Sequence, residues 1–302
     1  MLFIQLKESI LNLKIFSFKT GDVMLFPIFL IFLYSFSLQG ANINDYDNDG
    51  YTPLINAVLK KDYQKAEELL KKGADPNIGR DTSKIYYKVN HETLKTPLQY
   101  AASLNDLKMI KLLLKYKADV NKKNKLKETA IIFAIDRKYH DIVYFLYPKI
   151  KNKKSSVLLA HAVLAGDYEL TSFFIKKGVS LNYVSKNDTI LTLAIKGKNK
   201  EIVKLLLQKD ISLLNKPSKN GIYPLMTAIN IANMDIFDEL IKHKEVNLKI
   251  RNRRNQTLLH LAALKYRSDE MIKKLLDLNI DANIKDYMGK TALFYFITRR
   301  NS

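Results

Sequence analysis

One outline recurs eight times along the chain. From Thr257 to Asn283 it reads TLLHLAALKYRSDEMIKKLLDLNIDAN; at Thr52 it reads TPLINAVLKKDYQKAEELLKKGADPN, and at Thr96 TPLQYAASLNDLKMIKLLLKYKADVN. Aligned on a Thr-x-Leu-x-x-Ala core, the copies start at Thr52, Thr96, Thr129, Val157, Thr189, Tyr223, Thr257 and Thr291, in steps of 44, 33, 28, 32, 34, 34 and 34 residues. Self-similarity at such a period marks a repeat array. A unit this short cannot bury its own apolar face, so each must be covered by its neighbours. Length alone suggests about two domains; the repeat predicts one elongated array instead.

Each copy reads as two short helices. In TILTLAIKGKNKEIVKLLL, Leu191, Ala194 and Ile195 share one helical face, and Ile202, Val203, Leu205, Leu206 and Leu207 form a second apolar run. The spacing is helical rather than alternating. The core alanines, Ala57, Ala101, Ala134, Ala162, Ala194, Ala228 and Ala262, leave room for a neighbouring helix. Pro53, Pro97 and Pro224 stand at the first turn of helix one, where a missing N–H costs nothing. The second helix ends in KKGADPN (71–77) and KKGVSLN (176–182), where Gly73 and Gly178 suit a left-handed C-cap. Lys117, Asp210, His243 and Asn279 occupy the matching place elsewhere. The spacing predicts left-handed backbone there too, tolerated at Asn279 and costing about 1 kcal/mol at each of the others.

These motifs carry a resemblance: Thr52, Pro53 and Leu54; Thr96, Pro97 and Leu98; TLLHLAA with Thr257, His260 and Ala262; GADPN at Gly73; and DYMGKTAL at 286–293. From about Ala41 to the end the chain closely resembles the ankyrin-repeat family. The resemblance implies an all-α repeat solenoid of helix–turn–helix units joined by β-hairpin-like loops, about seven full units plus a truncated C-terminal one. It also implies that His260 hydrogen-bonds near the turn, and that partners bind on the concave face built from first helices and loops. Departures are local. Ala130 and Leu158 stand where proline is usual, copy four has a shortened loop, and an insertion of 44 − 33 = 11 residues falls within about 78–95. The truncated last unit, with Arg299, Arg300 and Asn301, is expected to act as a polar C-terminal cap.

Residues 1–40 read as a leader and 41–302 as the array. Val23 to Asn44 carries no charge, and its dense apolar part, Met24 to Phe36, has the length of a signal-peptide core. Cleavage near Ser35 to Ala41 would export the array to a periplasmic or extracellular space. Alternatively Lys14 and Lys19 hold the leader in the cytoplasm and residues 24–38 stay as a membrane anchor, or the stretch is a buried helix. Either Met1 or Met24 could be the start.

The chain has no cysteine, which excludes disulfides, thiolate metal sites and a cysteine nucleophile. His91, His140, His161, His243 and His260 fall in different units or loops, none at metal-ligand spacing. There is no glycine-rich phosphate loop, and His91 beside Glu92 is read as part of a solvated loop. The expectation is a monomeric, non-enzymatic protein-binding scaffold with no cofactor and no metal.

Charge says more, with a formal net charge of +20. Basic residues cluster between units: Lys122, Lys123, Lys125 and Lys127; Lys149, Lys151, Lys153 and Lys154; Lys249, Arg251, Arg253 and Arg254; with Lys186, Lys216, Lys219 and Lys285 in the remaining loops. In the implied fold these loops share an edge, which predicts a basic stripe suited to an acidic protein surface or, alternatively, anionic lipid. The competing reading is a merely solvated edge, because lysine is abundant throughout. Nucleic acid is disfavoured: no recognition motif is present, and the charge is mostly Lys rather than base-reading Arg. Tyr86 and Tyr87 in the insertion either anchor a partner or pack back on units one and two.

Overall fold

The computed structural model describes residues 42–81, 94–265 and 269–300. Seven helix pairs follow one another: α1 (Pro53–Leu59) with α2 (Tyr63–Lys71), α3 (Pro97–Ser103) with α4 (Leu107–Lys115), α5 (Ala130–Asp136) with α6 (His140–Leu146), α7 (Ser156–Leu164) with α8 (Tyr168–Lys176), α9 (Ile190–Lys196) with α10 (Lys200–Lys209), α11 (Pro224–Asn230) with α12 (Met234–Ile241), and α13 (Leu258–Ala263) with α14 (Asp269–Asp277). A single helix, α15 (Ala292–Arg300), ends the series. The hairpin-like loops hold no strand among the described residues, only an isolated antiparallel bridge between Val184 and Thr189.

The repeated residues have repeated tasks. Thr52 caps α1, its hydroxyl accepting the Ile55 N–H, and Thr96 with Gln99 forms a reciprocal capping box on α3. Pro53, Pro97 and Pro224 occupy the first turns. Each core alanine from Ala57 to Ala228 is buried, and its carbonyl accepts the N–H of the residue that caps helix two: Asp62, Asp106, Tyr139, Asp167, Asn199 and Asn233 in turn. The residue just before that cap is left-handed in all six units (Lys61, Asn105, Lys138, Gly166, Lys198, Ala232). The chain therefore reverses in one fixed geometry. The exception in register is copy four, where α7 is capped by Ser155 and begins at Ser156, one residue before the aligned Val157.

The helix-two ends divide. Gly73 (φ 93°), Gly178 (72°), Lys117 (65°) and Asn279 (55°) are left-handed as expected. Asp210 and His243 are not, which corrects the expectation. Asp210 is extended (φ −152°) and caps the 3₁₀ turn Ile211–Asn215, accepting from the Ser212 N–H at 3.0 Å and its hydroxyl at 2.6 Å. The His243 carbonyl accepts the Val246 N–H at 3.1 Å in a tight turn of its own. The penalty expected at these two positions does not arise.

Units join through one continuous apolar core, with Phe174 and Phe237 its largest fully buried side chains. First helices pack on first helices from α1 to α15, whereas second helices meet more sparsely. Asparagines at the unit ends add a ladder. Asn44 accepts the Asp75 N–H (2.9 Å), Asn77 that of Asp119 (2.6 Å), Asn121 that of Lys151 (2.8 Å) and Asn215 that of Asn247 (2.9 Å).

Of the residues expected to form a polar cap, Asn301 and the Arg300 side chain lie outside the described ones, and the described part of the last unit exposes apolar residues. Leu293, Phe294 and Ile297 are 61%, 41% and 51% exposed on α15. Arg299 turns back instead, its guanidinium bonding the Lys265 carbonyl and pairing with Asp269 at 3.2 Å. The amphipathic period of α15 sends the arginine to unit seven and the aliphatic residues outward.

Candidate binding surface

The loops between units are fingers, and five share one construction. An Asp, Asn or Ser opens the finger and its N–H donates to the carbonyl four residues on: Asp47 to Tyr51 (2.9 Å), Asn124 to Glu128 (3.0 Å), Ser218 to Ile222 (3.0 Å), Asn252 to Gln256 (3.1 Å) and Asp286 to Lys290 (2.9 Å). The opening side chain also accepts N–H groups from the tip or its far end, as Asn252 does from Arg254 and Gln256. The third residue on is left-handed: Gly50, Lys127, Gly221, Asn255 and Gly289. At Gly50 an added Cβ would lie 1.6 Å from the Asp81 carbonyl oxygen, so glycine is demanded twice over there. Sequence reasoning missed these opening residues. Their signal is the spacing Asp/Ser-x-x-Gly at Asp47, Ser218 and Asp286.

Fingers are also bonded to each other. The Lys219 N–H donates to the Ser185 carbonyl (3.2 Å) and the Asn220 N–H to the Lys186 carbonyl (2.9 Å). The Arg253 guanidinium donates to the Lys219 carbonyl (3.1 Å), the Tyr287 N–H to the Arg254 carbonyl (3.1 Å), and the Asn255 amide to the Lys285 carbonyl (3.3 Å). Lys186, Lys219, Arg253, Arg254 and Lys285 thus stand exposed on one stitched edge. Arg251 is exposed beside it, bonded to the Asn255 side chain at 3.0 Å.

Among the described residues, no bond between fingers ties Lys123, Lys125, Lys151, Lys153 or Lys154 to that edge. Lys123 and Lys125 are exposed on the unit-three finger, which is tied to α3 by the Gln99 amide donating to the Lys122 and Glu128 carbonyls (2.9 and 3.1 Å). Lys151, Lys153 and Lys154 are exposed on a short turn with no finger; its backbone bonds to Asn121 and Ser180, where second helices end. The base of the insertion is stitched by Arg80 N–H to the Lys95 carbonyl (3.1 Å), with the Arg80 guanidinium 4.4 Å over the Tyr51 ring. Tyr86, Tyr87, His91 and Glu92 lie outside the described residues.

Two clefts differ in charge. One, of about 280 Å³, lies between the fingers of units six and seven and is lined by Ile222, Met226 and Leu261, by Asn220, Asn230 and Asn252, and by Arg253 and Arg254. The other, of about 600 Å³, lies on unit one and includes Asp45, Asp47 and Glu68 with Lys65 and Lys72.

The titratable groups gather at joints between units. His140 has Nε2 2.6 Å from Asp167 and Nδ1 3.2 Å from Glu169, so both ring nitrogens face carboxylates across the seam of units three and four. Tyr144 donates to Glu169 at 2.7 Å; burial, then that carboxylate, pushes its hydroxyl up to about 12. Tyr63 donates to Asp106 at 3.1 Å at the seam of units one and two. His260 accepts at Nδ1 from the Thr257 N–H (3.2 Å), while Nε2 donates to the Lys290 carbonyl (3.0 Å). It is the turn residue the resemblance implied. Among the described residues no group of three His, Asp or Glu side chains could hold a metal ion.

This geometry recurs in known proteins. The family profile for three tandem ankyrin repeats matches residues 82–157, 148–216, 209–286 and 225–302, and the single-repeat profile matches 49–81. The chain belongs to the ankyrin repeat family. Similar relatives include the Ankyrin repeat and KH domain-containing protein mask-1 of Caenorhabditis elegans, 28% identical over 210 residues, 68% of this chain and 8% of that protein. The Fowlpox virus (strain NVSL) ankyrin repeat protein FPV022 is 26% identical over 270 residues, 88% of this chain and 42% of its own length. The chain therefore spans less than half of these curated relatives. The crystal structure of the human ASB11 ankyrin repeat domain superposes with a TM-score of 0.59 at 21% identity, covering 76% of this chain and 99% of that one, which shows the fold. Ankyrin repeats as a rule bind protein partners and are not enzymes.

Proposed function

We propose that this ankyrin repeat chain is a non-enzymatic scaffold, exported from the cytoplasm, that binds an acidic protein partner through its inner face and basic finger edge. The observation that carries the reading is the hydrogen-bonded edge from Lys186 through Lys219, Arg253 and Arg254 to Lys285. Bonds between fingers hold these charges in fixed register before any partner arrives, so little ordering entropy is lost on binding. Their exposure and common sign favour an acidic surface.

The test is capture from the exported fraction, followed by affinity measurement at several salt concentrations. Replacing the edge residues Lys186, Lys219, Arg253, Arg254 and Lys285 by Gln is expected to weaken the partner and flatten the salt dependence. Unchanged affinity and slope would remove the basic residues from the contact surface. Export rests on the uncharged stretch from Val23 to Asn44. Mass spectrometry of the mature N-terminus checks it: a terminus between Ser35 and Ala41 in a soluble exported fraction is the expected result. An intact leader in the membrane fraction supports the anchored alternative.

A further inference from the structure

We infer that the cleft between the fingers of units six and seven is a subsite for an extended acidic peptide segment, which seats one aliphatic side chain on Ile222, Met226 and Leu261 and a neighbouring carboxylate against Arg253 and Arg254. The inference deepens the scaffold reading and rests on it.

Charge chooses this cleft. No carboxylate lines it, and two arginines do. The larger cleft on unit one carries Asp45, Asp47 and Glu68 beside Lys65 and Lys72, and both lysines are paired with Glu68, so it offers an acidic ligand no free cation and two further carboxylates. Arg253 is preorganised, because one guanidinium nitrogen is held by the Lys219 carbonyl at 3.1 Å while the side chain stays exposed. The planar fork of arginine suits a carboxylate better than a lysine ammonium does.

The floor specifies the second contact. Met226 is 2% exposed and Leu261 7%, with Ile222 half-buried above them. A space of about 280 Å³ over such a floor takes one aliphatic side chain rather than a folded surface. Methionine in the floor adapts to branched shapes. The walls offer amides at Asn220 and the exposed Asn230, able to donate to and accept from a peptide backbone. No aromatic ring lines the cleft, so it lacks the stacking platform that single-stranded nucleic acid uses.

The experiment uses the full chain and a short fluorescein-labelled peptide of Glu and Ser with one central Leu, beside a copy with Ser in place of Leu. Fluorescence anisotropy gives both affinities. The Leu peptide is expected to bind several-fold more tightly than the Ser copy. R253Q/R254Q is expected to lose about tenfold, whereas K151Q/K153Q/K154Q, which removes more charge elsewhere, stays within about twofold. A second readout does not depend on the variants: the ¹³C ε-methyl signal of Met226, assigned through Met226→Leu, is expected to move with the Leu peptide and stay still with the Ser copy. Equal losses in both charge variants with no Leu preference would overturn the subsite and leave a diffuse basic edge intact. Absence of any peptide binding, or a better fit for an oligonucleotide or anionic vesicles, would overturn the subsite; failure of the exported-fraction capture is the separate result that removes the scaffold reading.

Discussion

The Nε2 atom of His260 lies 3.0 Å from the carbonyl oxygen of Lys290, thirty residues further along the chain. One imidazole therefore closes its own helix cap through Thr257 and holds the next finger in place. In unit two Gln99 performs the same task, closing the Thr96 cap and donating to the Lys122 and Glu128 carbonyls. Because His260 is 1% exposed, His260→Ala empties a buried site, leaves the Thr257 N–H without its acceptor and leaves the Lys290 carbonyl with the Asp286 N–H alone. The expected cost is about 2–3 kcal/mol. In a linear array it should appear as local opening of the last two units, read by hydrogen exchange. His260→Gln should keep most of the stability; an equal loss in both variants would show that the bridge contributes nothing beyond packing.

Lys117 and Asp210 occupy equivalent places in the repeat and have opposite backbones. Lys117 is left-handed (φ 65°), so Lys117→Gly should gain about 0.5–1 kcal/mol by removing Cβ strain. Asp210 is extended and bonds Ser212 twice, so Asp210→Ala should lose about 1 kcal/mol with its cap. Denaturant midpoints of the two variants check the signs.

That contrast shows what the sequence makes legible. Thr52, Thr96, Ala262 and His260 answer local demands, a cap, a close helix approach and a turn bond, and these recur with the period. Asp210 departs because its carboxylate competes for Ser212, a contest no alignment displays. The stitched edge was half-visible. The basic residues could be placed on one side, but the bond from Arg253 to the Lys219 carbonyl joins residues 34 apart through backbone oxygen, whose position only the stack defines. The same holds for the cleft, which gathers Asn220, Met226 and Arg254 from different fingers and helices. Copy four misleads the eye for a physical reason: with its finger gone, Lys151, Lys153 and Lys154 fall at the ends of second helices, away from the edge the period assigned them.

Asp286 and Tyr295 make the last finger sensitive to acid. The tyrosine hydroxyl donates to Asp286 at 2.6 Å, and this bond, ahead of any other influence, holds the carboxyl below its usual range. A depressed carboxylate contributes stability above its unfolded pKa, lost as pH falls through the lower folded value. Tyr295→Phe removes the donor, so the Asp286 carboxyl should titrate at higher pH and the C-terminal unit should loosen earlier on acidification. Carboxyl-carbon NMR of Asp286 against pH measures this; an unchanged titration would sink the assignment.

Tyr144 and Glu169 set the opposite limb. Burial first, then the bond to Glu169, pushes the Tyr144 hydroxyl up to about 12. A raised tyrosine contributes stability in full below its unfolded value of about 10, and that contribution disappears as pH rises through about 12. Wild-type stability at the seam of units three and four should therefore fall across that alkaline window. Glu169→Gln takes away the charge but keeps an acceptor, so the Tyr144 titration should drop towards 10 without returning fully, because burial remains. The same variant leaves His140 with one carboxylate, Asp167, in place of two. Ring-carbon NMR of Tyr144 across the window separates the causes: a drop in Glu169→Gln assigns part of the shift to that carboxylate, and no drop assigns it to desolvation beside Phe173 together with the Asp167 and Asp141 charges.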